Sequence, residues 1–194
     1  MMCAFFGSTE SRTTKAPAMP FAIELHFDQT STARISTLWT ELQRISGKPL
    51  CSELGVRPHI SVAVLAEPPK RLEFRLREYA AILRAFDLEL SGIDTFPGDE
   101  GVVFVRASLS RPLREIHAGI SQVLADLGVV NSPLYESSRW IPHCTLATDV
   151  PAGSIQRIMN TAANAGLPAI VRATALCGVR YRPARLDFQI ALKE

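Results

Sequence analysis

Two stretches of the chain set an imidazole and a hydroxyl two residues apart behind a proline: Pro58-His59-Ile60-Ser61 and Pro142-His143-Cys144-Thr145. The two histidines lie 84 positions apart and are half of the four in the chain. Side chains alternate faces along a strand, so His59 shares a face with Ser61, and His143 with Thr145. Ile60, Val62, Val64, Cys144 and Leu146 then turn the other way, toward a core under helices. Cys144 is therefore expected to pack rather than react, and the arginine a cysteine-dependent phosphatase needs six residues on is replaced by Val150. Imidazoles titrate near neutrality, so one can take a proton while the other gives one. Hydroxyls can donate to the non-bridging oxygens of a phosphoryl group held between them. The set suits in-line displacement at phosphorus, with water or a substrate hydroxyl as the attacking group. A zinc site would need a third or fourth ligand, for which His26 is the one candidate, and the Ser/Thr partners fit phosphate better. No metal and no cofactor are expected.

The surrounding pattern supplies strands and helices to carry these residues. FAIELHFD alternates Phe21, Ile23, Leu25 and Phe27 with Ala22, Glu24, His26 and Asp28, which predicts a half-buried strand. Helices are predicted over Thr30 to Ile45 (ended by Gly47 and Pro49), Pro69 to Phe86, Pro112 to Leu127 (between Ser110 and Gly128) and Ala152 to Ala165. Strands are expected at both His motifs, on either side of the turn Pro97 to Gly101, and over Ala169 to Tyr181 and Leu186 to Leu192. Each half of that order holds a helix, a His strand, a second helix and a strand pair, so two facing lobes would bring the His strands together.

Secondary candidates follow from the same alternation. His26 lies on the polar row of the first strand, where it can face a cleft. Phe104 and Arg106 share a face and could stack on a base and meet a phosphate. Tyr181 and Arg182 form a basic-aromatic run with Arg180, and the loop Val130 to Trp140, which carries Tyr135, precedes the second motif as a potential lid. His117, mid-helix, is expected to be structural.

Length and composition set the frame. With 194 residues, 47% hydrophobic and a net charge of +2, the chain can bury a real core and carries no strongly basic field for long nucleic acid. A local site for a small anion remains open. Cys3, Cys51, Cys144 and Cys177 are widely spaced without CxxC pairs, which points to reduced thiols and a cytoplasmic setting. Residues 1–20 are expected to be a disordered tail, and no run approaches the roughly 20 apolar residues of a membrane span.

The two motifs, their separation and the intervening FDLELSGIDTFPG and GVVFVRASLSRPLREIHAGISQVLADLG resemble the two-histidine (2H) phosphoesterases, including RNA 2′,3′-cyclic phosphodiesterases and the 2′-5′ RNA ligase group. The resemblance covers residues 21–194. It implies an α+β fold, bilobal, with a pseudo-two-fold pair of antiparallel sheets and flanking helices around a central cleft. It implies His59 and His143 as the acid-base pair and Ser61 and Thr145 as phosphate-gripping hydroxyls. The first motif has Ser where many members have Thr, which keeps the donor and loses the methyl. A monomeric, metal-independent phosphodiesterase acting on a small nucleotide or an RNA end is the function expected. The alternatives are 2′-5′ ligation or end trimming, and a nucleotide- or RNA-binding module that does not turn over.

Overall fold

The computed structural model describes residues 20–46, 55–96, 101–167, 169–181 and 183–194. The expectations for the tail up to Met19, for Cys3 and Cys51, for the stop at Gly47 and Pro49, for the turn residues Pro97 to Glu100 and for Arg182 lie outside them. The elements run β1 (Phe21–Phe27), α1 (Gln29–Ser46), β2 (His59–Leu65), α2 (Leu72–Ala80), β3 (Phe86–Thr95), β4 (Val103–Ala107), α3 (Arg111–Asp126), a 3-10 turn at Pro133–Tyr135, β5 (His143–Ala147), α4 (Ala152–Asn164), β6 (Ile170–Arg180) and β7 (Arg185–Ala191). The fold is α+β, with, among the described residues, four helices against a seven-stranded antiparallel sheet that does not close.

Strand order β2-β1-β6-β3-β4-β5 reads the same from either end, with β7 added on the free flank of β6. One lobe is built from β2, β1, β6 and β7, the other from β5, β4 and β3. The sequence suggested that each half ends in its own strand pair. Instead the repeated unit is strand, helix, His strand, helix, strand, and its last strand is traded: β3 pairs with β4 of the second half, and β6 pairs with β1 of the first. The lobes join where Phe86 to Glu89 of β3 pairs with Ile170 to Ala173 of β6. Beyond Leu90 the β3 register shifts, and Gly92 supplies the positive φ of 77° that a bend needs there.

Inward residues of both lobes merge into one apolar core. Phe21, Ile23, Leu25, Ile60 and Leu65 of the first lobe and Val103, Val105, Cys144 and Leu146 of the second share it with Ile35, Trp39 and Leu42 of α1, Leu113, Ile116 and Ile120 of α3 and Ile158 of α4. Helix α1 lies against β5 and α3 against β2, so each helix reaches across to the other lobe. Burying each such side chain contributes roughly 1.5–3 kcal/mol. Ser110 caps α3 by accepting from the Leu113 amide at 3.4 Å.

Two sequence expectations change. All seven residues of β1 are buried, Glu24 and His26 included, so the strand is not half exposed. It lies between β2 and β6 with helices on one face and the cleft on the other, and a polar row can be covered by a facing lobe as well as by water. Second, α2 spans only nine residues, and Phe86 belongs to a strand. The chain from Ala81 turns out of the helix because Ala85 and Leu83 hydrogen-bond Lys193 near the end of the chain, which holds that backbone extended.

Gly101 begins the approach to β4 at φ +57°, and a Cβ there would lie 2.7 Å from the Val150 nitrogen and nearer still to its carbonyl oxygen. Gly101→Ala is expected to lose roughly 2–3 kcal/mol of stability, from the left-handed backbone plus the forced shift of Val150. The midpoint of urea unfolding measures it.

Candidate active site

His59 and His143 are the first residues of β2 and β5, and the two lobes tether them alike. Nδ1 of His59 donates to the Arg57 carbonyl at 2.6 Å, and Nδ1 of His143 to the Ile141 carbonyl at 2.7 Å. A carbonyl can only accept, so Nδ1 carries the proton and Nε2 is left as the working nitrogen of each ring. Pro58 and Pro142, both buried, hold the preceding residue extended and so aim that carbonyl.

Each motif also ends in a bulge at the same step. Ile23 pairs with Ala63 and Glu24 with Ser61, so Val62 is the extra residue; Val103 pairs with Ala147 and Phe104 with Thr145, so Leu146 is its counterpart. The strict alternation expected along β2 therefore breaks at Val62, and Val64 joins the row of Ala22 on the face of Glu24 and His26. The chain has two tryptophans, and each fixes one bulged motif from across the lobe boundary. Trp39 of α1 donates its indole N–H to the Thr145 carbonyl at 3.1 Å, and Trp140 donates to the Ser61 carbonyl at 3.0 Å.

The chemistry beside the two motifs is not symmetric. In the first lobe Glu24 stands opposite Ser61, with 2% of its surface exposed. Its Oε2 accepts from His26 Nε2 at 2.9 Å, its Oε1 accepts from the Tyr181 hydroxyl at 3.0 Å, and the same oxygen lies 3.5 Å from Nε2 of His59. Burial pushes the Glu24 carboxyl up, but His59, His26 and the Tyr181 hydroxyl outweigh it and hold the pKa below the usual value. Ser61 is 3.4 Å from the Tyr181 hydroxyl, and the Tyr135 hydroxyl also lies near it. Burial and then the Glu24 charge push the Tyr181 phenol well up, so it stays a donor. Cys177, beside Glu24 on β6, is pushed up to about 12 by burial and that carboxylate, and is no nucleophile.

In the second lobe the place of Glu24 is taken by Phe104, opposite Thr145, and the place of His26 by Arg106, opposite His143. Phe96, Phe104 and His143 form an aromatic group, with centroids 4.4 Å apart for the two phenyls and 5.1 and 4.9 Å from each to the imidazole. Burial lowers the His143 pKa, the charges of His59 and Arg106 lower it further, and the bond to the Ile141 carbonyl opposes them.

The structure thus gathers His26, His59, Ser61, Tyr135 and Tyr181 on one wall and Phe104, Arg106, His143 and Thr145 on the other. Three of the secondary candidates have other engagements in the fold. Phe104 is 1% exposed, so its ring backs His143 instead of offering a face to a base. Arg106 is engaged by Asp94 in an ion pair. His26, 4% exposed, meets Glu24 and not the open cleft; its Nδ1 is, among the described residues, the buried side-chain polar atom without a partner. The residue the sequence reading passed over is Glu24, although its place on the same row as His26 in FAIELHFD was visible. Phe96 and the tryptophan bonds carried no sequence signal. Cys144 is fully buried, and His117 stacks on Trp140 with centroids 4.1 Å apart. Among the described residues no cluster of three or more His, Cys, Asp or Glu could hold a metal ion, and no helix is long and apolar enough to cross a membrane.

Paired His-x-Ser/Thr strands on two lobes of an open antiparallel sheet define a two-histidine phosphoesterase. The 2′-5′ RNA ligase superfamily matches residues 22–185, and the chain belongs to that superfamily, which supports phosphoesterase chemistry in general. No curated protein matches the sequence. Among solved structures the fold resembles TT0787 of Thermus thermophilus (TM-score 0.63, 17% identity, covering 90% of this chain and 98% of that one). It also resembles E. coli LigT in apo form (TM-score 0.61, 17% identity, 92% and 100%). LigT has also been crystallised with phosphate, 3′-AMP, ATP and NADP+.

Proposed function

We propose that the protein is a metal-independent phosphodiesterase that opens 2′,3′-cyclic phosphates on RNA ends or small nucleotides. The observation that carries this reading is the matched pair of Nδ1-to-carbonyl tethers, which leaves two Nε2 atoms as the proton-transfer groups of one cleft. His143, whose pKa is held down, is neutral at working pH and takes the proton of the attacking water. The water oxygen bonds to phosphorus as the bond to one ribose oxygen breaks, and His59 gives its Nε2 proton to that oxygen. Of the two motif histidines, His59 is the one whose Nε2 lies 3.5 Å from a carboxylate oxygen, which assigns it the donor role. Ser61 and Thr145 donate to the non-bridging oxygens, where charge grows in the transition state. The protons exchange with solvent afterwards, and the product is a phosphomonoester. The complexes of E. coli LigT with 3′-AMP and phosphate are consistent with a nucleotide phosphate as ligand. Ligation uses the same groups with a ribose hydroxyl in place of water, and the superfamily's name favours keeping it as the second reading.

The test is hydrolysis of 2′,3′-cyclic AMP in EDTA across a pH series. A bell-shaped kcat/KM is expected. The base must be neutral, so activity falls as pH drops through the depressed His143 pKa, and the acid limb lies below pH 6.5. Binding without turnover would leave the recognition module standing, and loss of activity on chelation would sink the metal-free mechanism.

A further inference from the structure

The two halves of the cleft share a backbone plan and differ in charge beside the phosphate-gripping hydroxyl of each motif. Where the second lobe has Phe104, the first has the carboxylate of Glu24, buried and held by His26 and Tyr181. We infer that Glu24 is a specificity-determining residue: it makes the cleft favour a monoanionic phosphodiester over the dianionic phosphomonoester formed from it. This rests on the proposed hydrolysis, because the substrate and product of that reaction differ in charge at the same phosphorus. A diester carries one negative charge, whereas a monoester gains a second above a pKa of about 6.

Among the described residues, the groups around the phosphate position offer little to neutralise that second charge, and Arg57, two residues before His59, is exposed to solvent. Ser61, Thr145 and Tyr135 are neutral hydroxyls, and the Tyr181 hydroxyl already donates to Glu24. Arg106, on the opposite wall, is paired with Asp94. Cys177, also beside Glu24, stays a neutral thiol, and His26 is engaged by the Glu24 carboxylate. The proposed cycle places one proton on the two working Nε2 atoms, enough for one negative charge. A second charge about 6–12 Å from a buried carboxylate, at an effective dielectric near 20, weakens binding by roughly ten- to a hundredfold. The consequence for turnover is quick release of product.

The experiment is calorimetric binding at pH 8.0 of 2′-AMP, a dianion, and of its methyl ester, a monoanionic diester on the same skeleton. The wild type is expected to prefer the ester by about ten- to a hundredfold. Glu24→Gln should compress that preference to within about threefold by tightening 2′-AMP, while Glu24→Asp should keep it. Glu24→Ala carries the same comparison if the glutamine variant does not fold. An unchanged preference in a folded neutral variant overturns the inference even where 2′,3′-cyclic AMP is hydrolysed. The expected shift in preference without any hydrolysis would instead remove the proposed reaction and leave the charge selection in place.

Discussion

His143→Ala is expected to lower kcat/KM for 2′,3′-cyclic AMP by about 10³ to 10⁴, nearly all of it in kcat. A positioned general base is worth roughly 10²–10⁴ on its own, and the Ile141 tether ensures that no other nitrogen can stand in for Nε2. The loss is chemical and not a matter of folding. The ring is only half buried and leans on Phe96 and Phe104, which remain packed on each other without it. His59→Ala should fall as far, because the leaving oxygen then departs without a proton. The double variant should be little worse than either single one, since acid and base act in one transition state and their losses do not add. Steady-state kinetics with a thermal melt on each variant decide the point. A single variant within tenfold of the wild type would remove that histidine from the mechanism.

Trp140→Ala is expected to cost about 3–5 kcal/mol of stability, the range for deleting a large buried aromatic. Trp140 is 7% exposed, lies flat against His117 at an interplanar angle of 14°, and its N–H holds the Ser61 carbonyl. Trp140→Phe separates the two contributions. It keeps a ring against His117 but leaves a buried carbonyl without its donor, about 1–3 kcal/mol, and frees the bulge that aims Ser61. Trp140→Phe should therefore lower kcat as well as stability, with KM for the cyclic nucleotide changing less. Trp39→Phe should do the same through Thr145. Urea unfolding and initial rates test both. Full activity in both phenylalanine variants would show that the indole bonds hold the fold and not the site.

Much of the site was legible because its information is local. The Pro-His-x-Ser/Thr frame fixes which side chains share a face, and the same alternation sent Cys144 to the core. Helices with a strong stripe and a cap, such as α3 behind Ser110, were placed to within a residue at each end. The failures share a cause, which is that pairing partners are remote in sequence. The polar row of β1 reads as half exposed until β2, β6 and the opposite lobe cover it. The truncation of α2 depends on Lys193, more than a hundred residues away. The strand exchange between halves cannot be read from order alone, since β3 and β6 follow their helices whichever sheet they join. Glu24 was passed over in favour of His26 because the sequence cannot say which member of a polar row reaches the catalytic ring and which supports it from behind.

The traded strands bear on how such a cleft can vary. A half-length chain of the same plan could close the sheet only by handing its last strand to a second copy. The result would be an exchanged dimer with a true two-fold axis through the cleft. Symmetry of that kind forces both walls to be identical, so a carboxylate at one would have to appear at the other and two anions would face the phosphate. Joining the halves in one polypeptide lifts the constraint. Position 24 can be glutamate while its counterpart at 104 is phenylalanine, and a cleft with identical scaffolding on both sides acquires a direction.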